Sequence, residues 1–278
     1  SRIVITGDRT QIDLPRGVSS GLRDAERLLE RLDVRDCVFI GLSVGSFLNV
    51  VVYRLPKMME LNWHRECREL MGEEPHPEES PFNLNRPASH CPACNHKIKP
   101  WENIPLLSWL FLMGRCSNCG ARISPRYPIV EVLTEVFSLF VAHHFGVSWE
   151  TFTALLLTWA LIALSFIDYD VQLLPDSITL PFLWLGLFLS LFGLFTDAHS
   201  AIIGALVGYL SLWSVFQIFK RLTGKEGMGY GDFKLLALLG AWLGWQYVPQ
   251  IVMLSALVGA IVGLSLILFR GRDKNIPI

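Results

Sequence analysis

The chain has 278 residues, of which 51% are hydrophobic and only 18% are charged, and its mean hydropathy is +0.40. This composition is too apolar for an ordinary soluble domain and predicts a membrane protein. The formal net charge of -1 leaves no overall basic excess, so nucleic acid is excluded as an expected partner.

Residues 1–36 form a polar N-terminal tail that is rich in both arginine and acidic residues. The tail lacks the continuous apolar core that a cleavable signal peptide needs. Membrane insertion is therefore expected to depend on the first apolar run after it, and the tail itself receives no predicted role.

Seven apolar runs of roughly membrane-spanning length follow along the chain. The first covers residues 37–53 and is predicted to be the first transmembrane helix. The remaining six runs make up a predicted membrane core over residues 128–269: 128–146, 151–167, 178–196, 200–219, 233–248 and 250–269. The predicted fold class is all-α, a polytopic transmembrane helical bundle.

Residues 54–127 form the large hydrophilic insertion between these apolar runs, and they carry many arginines and lysines. Shorter basic segments recur at 220–225 and 270–274. Alternating the seven spans places all three basic segments on one side, which the positive-inside tendency identifies as cytoplasmic. The C-terminal end, 270–278, is therefore also expected in the cytoplasm.

The insertion contains two C-x-x-C pairs, CPAC at 91–94 and CSNC at 116–119. Their four thiolates match the tetrahedral site of a structural zinc ion, which leaves no open position for a substrate or water. Dithiol redox chemistry and unliganded cysteines are the alternatives. The zinc interpretation explains how a short, proline-rich insertion holds a fixed shape beside the membrane. The predicted ligands are Cys91, Cys94, Cys116 and Cys119.

Two aspartates stand where apolar runs meet the predicted cytoplasmic boundary. Asp168 follows the run that ends in LSFI, and Asp232 lies in GMGYGD just before FKLLALLGAW. A carboxylate near lipid is costly and is typical of functional positions. Two carboxylates that share one proton can serve as base and acid in peptide hydrolysis. Gly229 and Gly231 are expected to give a substrate strand or the other aspartate access to Asp232.

Each aspartate also has a structural alternative. Asp232 could cap the N-terminus of its helix, and the same explanation applies to Asp176 after Pro175. The alternative is weaker for Asp168, because the helix macrodipole disfavours a carboxylate at a helix C-terminus.

The order of these motifs resembles that in the type IV prepilin peptidases. These enzymes are also called leader peptidases/N-methyltransferases and belong to the G-x-G-D aspartyl protease group. The resemblance runs from GSFLNVVVYRLP through the cysteine pairs, PWENIPLLSW and PRYPIVEVLTE to DYDVQLLPD and KEGMGYGDFKLLALLGAW. It implies that Asp168 and Asp232 are the catalytic pair and that the four cysteines bind zinc. It also associates Gly114 and Glu131 with methylation, although each residue alone is more often structural.

The same resemblance implies the substrate and the setting. The family removes the short basic leader of type IV prepilins and type II secretion pseudopilins after a glycine. It then N-methylates the new N-terminus with S-adenosylmethionine. The expected location is the bacterial inner membrane, with the lipid bilayer around the helices and the active site facing the cytoplasm.

Two departures from the family pattern stand at the ends of the chain. The polar tail replaces the usual apolar lead-in, which predicts a shortened first helix. The family pattern also continues beyond NIPI through a Pro-Phe-Gly-Pro segment into a last helix, so the resemblance predicts truncation or fusion at this end.

Two rival functions come from other classes. One is a non-enzymatic membrane scaffold, in which the zinc knuckles dock a partner and the aspartates cap helices. The other is a proton-coupled transporter, which would need carboxylates near the middle of the bilayer. The predicted boundaries place both aspartates at one interface, which disfavours the transporter.

Overall fold

The structure, a computed structural model, describes residues 34–72 and 82–270. The predicted tail and the predicted C-terminal end lie almost wholly outside these residues. The described chain is helical, and two short 3-10 turns lie at Pro100–Asn103 and Trp245–Tyr247. Its eight α-helices are α1 Val34–Leu70, α2 Leu107–Phe111, α3 Arg126–Phe145, α4 Trp149–Val171, α5 Asp176–Ser190, α6 Ala198–Thr223, α7 Tyr230–Leu243 and α8 Val248–Arg270.

The predicted all-α, multi-pass fold class is confirmed. Four described stretches are long and apolar enough to cross a membrane, and α5 is a shorter apolar helix. The four stretches are Arg126–Phe145, Trp149–Val171, Ala198–Thr223 and Trp245–Ser265. The count of seven membrane-crossing helices stays a prediction.

Helix α1 extends well beyond the predicted first span of 37–53 and ends at Leu70. The added part is polar but rich in Glu, Leu, Met and Arg, which favour helix. A search for apolar runs detects only the apolar part of such a helix. The start of the hydrophilic insertion is therefore helical, and Arg54 within it is buried and donates to the carbonyl oxygens of Asn83, Leu84 and Pro87.

The described residues fall into two compact units, one of residues 34–49 and 88–159 and the other of 50–72, 82–87 and 160–270. In the first unit, α1 packs closely on α3 through glycine. A Cβ atom at position 45 would lie only 2.7 Å from the Cα atom of Glu131. Helix α4 joins α3 through the indole of Trp159, which donates to the Ser138 hydroxyl at 2.9 Å. Small and polar residues are common at such helix contacts in membrane proteins.

In the second unit, α7 is the central helix and packs against α5 and α6. Glycines let the backbones of α6 and α7 touch: a Cβ atom at position 208 would lie 2.6 Å from the carbonyl oxygen of Leu236. On α5, Gly186 makes room for the Trp242 ring, whose indole donates to the Phe182 carbonyl at 2.8 Å. Half of the residues of α7 are buried, and its first turn carries Asp232.

Candidate active site and metal centre

Asp168 lies in the last turn of α4, as the sequence predicts. Its neighbour Ile167 is completely buried, whereas Asp168 itself is exposed. The backbone N–H of Gln172 donates to the Asp168 carbonyl at 2.8 Å, and Gln172 has a φ of 51°, so the helix ends here. Asp168 thus lies at a helix end that the buried Ile167 side chain anchors.

Asp232 lies in the first turn of α7 and is half-buried. The N-cap residue of α7 is Gly229, which has no side chain to cap the helix. Asp232 is therefore not the N-cap residue of α7, and Asp176 is not the N-cap residue of α5, which is Pro175. The Asp232 carboxylate, in the first turn, accepts a hydrogen bond from the Gly229 backbone N–H, so it contributes to the start of α7 without being its N-cap.

Asp168 and Asp232 both lie in the second unit, and the charge of Asp168 acts on the Asp232 carboxyl. The two glycines beside Asp232 differ in role. A Cβ atom at position 231 would lie 2.8 Å from the Cβ atom of Leu174, so only glycine allows the α4–α5 link to approach α7 this closely. At position 229 the nearest atom would be an oxygen of Asp232 at 3.8 Å, which is ordinary contact and leaves space beside the carboxylate.

An ion pair next to the two aspartates was not predicted from the sequence. The Lys234 ammonium lies 2.7 Å and 2.6 Å from the two carboxylate oxygens of Asp176. It joins the second turn of α7 to the first turn of α5. Opposite charges at the starts of two neighbouring helices are the signal that could have indicated it.

Aromatic rings pack behind Asp232. Phe233 is completely buried, and its ring centroid lies 5.5 Å from that of Phe216 and 5.7 Å from that of Tyr230. Rings at such separations pack favourably. They hold in place the first turn of α7, which carries Asp232.

The four cysteines come together in the first unit, on two matching turns. Each turn has a backbone N–H bonded across it, Cys91 to the His96 carbonyl and Cys116 to the Ala121 carbonyl, both at 2.9 Å. The Sγ atoms of Cys91 and Cys119 are 3.9 Å apart, and those of Cys94 and Cys116 are 4.0 Å apart.

All four sulfur atoms lie within 4.8 Å of one another. A tetrahedral ion with metal–sulfur bonds of about 2.3 Å needs sulfur separations of about 3.8 Å, so the cluster can hold a metal ion. Backbone N–H groups of Cys119 and Asn118 lower the pKa of the Cys116 thiol to about 6, which favours the thiolate that a metal requires.

Glu102 connects the two cysteine turns, a role that was not predicted from the sequence. It accepts from the Lys99 backbone N–H at 3.0 Å and lies 3.6 Å from His96, on the side of the first turn. Its other oxygen accepts from the Ser117 hydroxyl of the second turn at 2.8 Å. The Lys99 N–H and the Ser117 hydroxyl hold the pKa of Glu102 below its usual value. Glu102 therefore stays ionised as a bridge between the turns.

Gly114 and Glu131 are linked through the short helix α2. Gly114 has a φ of 64°, and a Cβ atom there would lie 2.9 Å from the Trp109 ring of α2. Glu131 is buried and accepts from the Leu106 backbone N–H, just before α2, at 2.7 Å. Each residue thus has a structural task in placing α2 between the second cysteine turn and α3.

The fold and these two sites define a multi-pass helical membrane protein with a four-cysteine cluster. The bacterial peptidase A24 N-terminal domain family matches residues 39–145, and the type IV leader peptidase family matches residues 155–264. No solved structure matches the chain.

Curated relatives cover most of the chain. The prepilin leader peptidase/N-methyltransferase of Pseudomonas aeruginosa is 58% identical over 241 residues, which cover 87% of this chain and 83% of the relative. Those of Stutzerimonas stutzeri and Aeromonas hydrophila are 55% and 56% identical, each over 86% of this chain and over 83% and 82% of the relative. The chain belongs to the type IV leader peptidase family.

Proposed function

We propose that this chain is a prepilin leader peptidase and N-methyltransferase, and that Asp168 and Asp232 are its proteolytic pair. The observation that carries the proposal is the influence of the Asp168 charge, at the end of α4, on the Asp232 carboxyl at the start of α7. Membership of the leader peptidase family supports the same activity.

The two aspartates divide the acid and base work of hydrolysis. One carboxylate accepts a proton from water, and the resulting hydroxide attacks the peptide carbonyl carbon. The other, protonated, carboxyl donates to the carbonyl oxygen, and the amine of the new N-terminus leaves with a proton. Because like charges close together disfavour double ionisation, the pair can share one proton before each cycle.

The proposed substrates are type IV prepilins and the pseudopilins of type II secretion. Their short basic leader is cut after its final glycine, immediately before an apolar helix. The bacterial inner membrane, with the active site towards the cytoplasm, suits such a substrate. The lysines and arginines of 54–127 and the Lys220–Arg221 pair at the end of α6 support this orientation, because basic residues favour the cytoplasmic side.

The proposed metal is a structural zinc ion bound by Cys91, Cys94, Cys116 and Cys119. Four thiolates complete its coordination, so the zinc would stabilise the turns and would not activate water. This assignment leaves hydrolysis entirely to the aspartates.

The proposed methyl donor is S-adenosylmethionine, which supplies a methyl group to the amine that cleavage releases. We assign Gly114 and Glu131 to this half of the function through their placement of α2. Methylation must follow cleavage, since the accepting amine exists only after the leader has left.

One assay tests both activities together. Detergent-solubilised protein is incubated with a prepilin and radiolabelled S-adenosylmethionine, and the shortened pilin and its label are measured. The proposal expects a labelled, shortened product. A prepilin whose leader-terminal glycine is replaced by a bulky residue should be neither cut nor labelled. An intact prepilin after incubation with the folded protein would contradict the proposal.

A further inference from the structure

Residues 101–113, between the two cysteine pairs, carry many apolar side chains that the described protein leaves exposed. We call them the apolar segment. Phe111 and Met113 are each 83% exposed, and α2 within the segment has no buried residue. The other large exposed side chains are Trp101, Ile104, Leu107 and Leu110. A continuous apolar surface of this kind usually marks an interaction site.

A hydrogen bond fixes the depth of this segment relative to a candidate membrane span. The Leu106 backbone N–H donates to Glu131 at 2.7 Å, and Glu131 lies in the second turn of the span Arg126–Phe145. With a rise of about 1.5 Å per residue, Glu131 stands roughly 7 Å along the helix from Arg126. The apolar segment therefore lies at the level where the span begins.

The outer face of α3 continues the same exposed apolar surface into the span. Ile129, Val136 and Phe140 are 50%, 54% and 67% exposed. In a membrane-crossing helix, such side chains face lipid. The apolar segment and this face lie in one compact unit, and the hydrogen bond from the Leu106 backbone N–H to Glu131 joins them. One apolar environment can therefore cover both.

Basic side chains surround the apolar segment. Lys97, Lys99, Arg115 and Arg122 are all exposed in the described protein. The Lys99 ammonium lies 5.6 Å from the centre of the Trp101 ring, which places a cation over an aromatic face. The acidic member of the segment, Glu102, is already engaged by Lys99 and Ser117. This rim suits anionic headgroups, and aromatic residues are common at the membrane–water interface.

We propose that the apolar segment is an interfacial anchor that lies in the lipid bilayer surface, with its apolar side chains among the acyl chains and its basic rim on anionic headgroups. The anchor would hold the four-cysteine cluster against the membrane, because Trp109 of α2 packs on Gly114, two residues before Cys116. The fixed depth favours lipid over a soluble partner, which would have to compete with the acyl chains for the same side chains.

Site-specific photocrosslinking of the full chain tests the anchor. Benzoylphenylalanine replaces Phe111 in one protein and Ala93, an exposed residue of the first cysteine turn, in a control. Both proteins are placed in nanodiscs of phosphatidylcholine and phosphatidylglycerol, and metal content is measured to confirm folding. After irradiation, mass spectrometry identifies what each position has captured.

The expected result is a lipid adduct at position 111 and several-fold less at position 93. Adding Leu110→Asp should lower the adduct at 111 several-fold, because a carboxylate resists entry into the acyl region. Nanodiscs without phosphatidylglycerol should also lower it. Capture of a second copy, of added prepilin, of another part of this chain, or of nothing at position 111 would overturn the proposal.

Discussion

The Lys234 ammonium pairs with both carboxylate oxygens of Asp176, at 2.7 Å and 2.6 Å, and joins the second turn of α7 to the first turn of α5. Both side chains are partly exposed, so the pair contributes little to stability, typically below about 1 kcal/mol. Its position matters more. Asp232 lies two residues before Lys234, and the α4–α5 link that follows Asp168 ends at Asp176.

Breaking this pair should therefore impair cleavage more than folding. We expect Lys234→Glu and Asp176→Lys each to lower the kcat of prepilin cleavage by roughly 10-fold to 100-fold, because small displacements of catalytic groups are costly. The double exchange should recover most of the loss. Cleavage rates and thermal unfolding are measured together. If the double variant is no better than the single variants while all remain folded, the pair does not position the aspartates.

Replacement of Gly231 tests the close approach of the α4–α5 link to α7. In Gly231→Ala the new Cβ atom meets Leu174 at 2.8 Å, so the link or the first turn of α7 must move. Overpacking of this kind costs about 1–3 kcal/mol, and we expect cleavage to fall at least tenfold. Gly259→Ala in α8 is the matched control, because no atom lies within 4 Å of its Cβ position. Equal activity of the two variants would show that the approach is dispensable.

Glu102 should strengthen metal binding without being a ligand, because it bridges the two cysteine turns. We expect Glu102→Gln to weaken zinc affinity by about 10-fold to 100-fold, as is common for groups that orient metal ligands. Competition with a chromophoric chelator measures this, and Glu66→Gln, an exposed residue of α1, serves as the control. Prepared protein should contain about one zinc per chain. Unchanged affinity in Glu102→Gln would contradict the bridging role.

Gly114 should separate the two activities. Its φ of 64° and its contact with Trp109 mean that even alanine strains the turn and displaces α2. We expect Gly114→Ala and, more strongly, Gly114→Trp to lower methylation while cleavage persists. Cleavage and label transfer are read from one reaction. Equal loss of both activities in protein that still binds zinc would favour a single shared pocket.

The sequence alone predicts the helical membrane fold, the four cysteines and the two aspartates, because each of these signals is local. An apolar run, a C-x-x-C spacing and a carboxylate at the end of a run can all be read within a few residues. The order of these motifs along the chain is itself specific enough to indicate the family. The charge of Asp168 acts on the Asp232 carboxyl, as a pair requires, and the pairing and its catalytic role stay predictions.

The rest depends on contacts between distant segments. Nothing local in the sequence shows that Lys234 pairs with Asp176, or that Glu102 reaches Ser117. The N-cap position predicted for Asp232 is occupied instead by Gly229, three residues earlier. Side-chain bridges of this kind become visible only when the helices and turns are packed.

The most direct test of the central claim is the cleavage rate of Asp168→Asn and Asp232→Asn in membrane-inserted protein. Asn keeps the size of the side chain but can neither accept nor donate the required proton. We therefore expect each variant to lose at least about 100-fold in kcat. Asp170→Asn, on the same helix end as Asp168, should cleave at nearly the normal rate. Near-normal cleavage by either Asp168→Asn or Asp232→Asn would contradict the assignment of the pair.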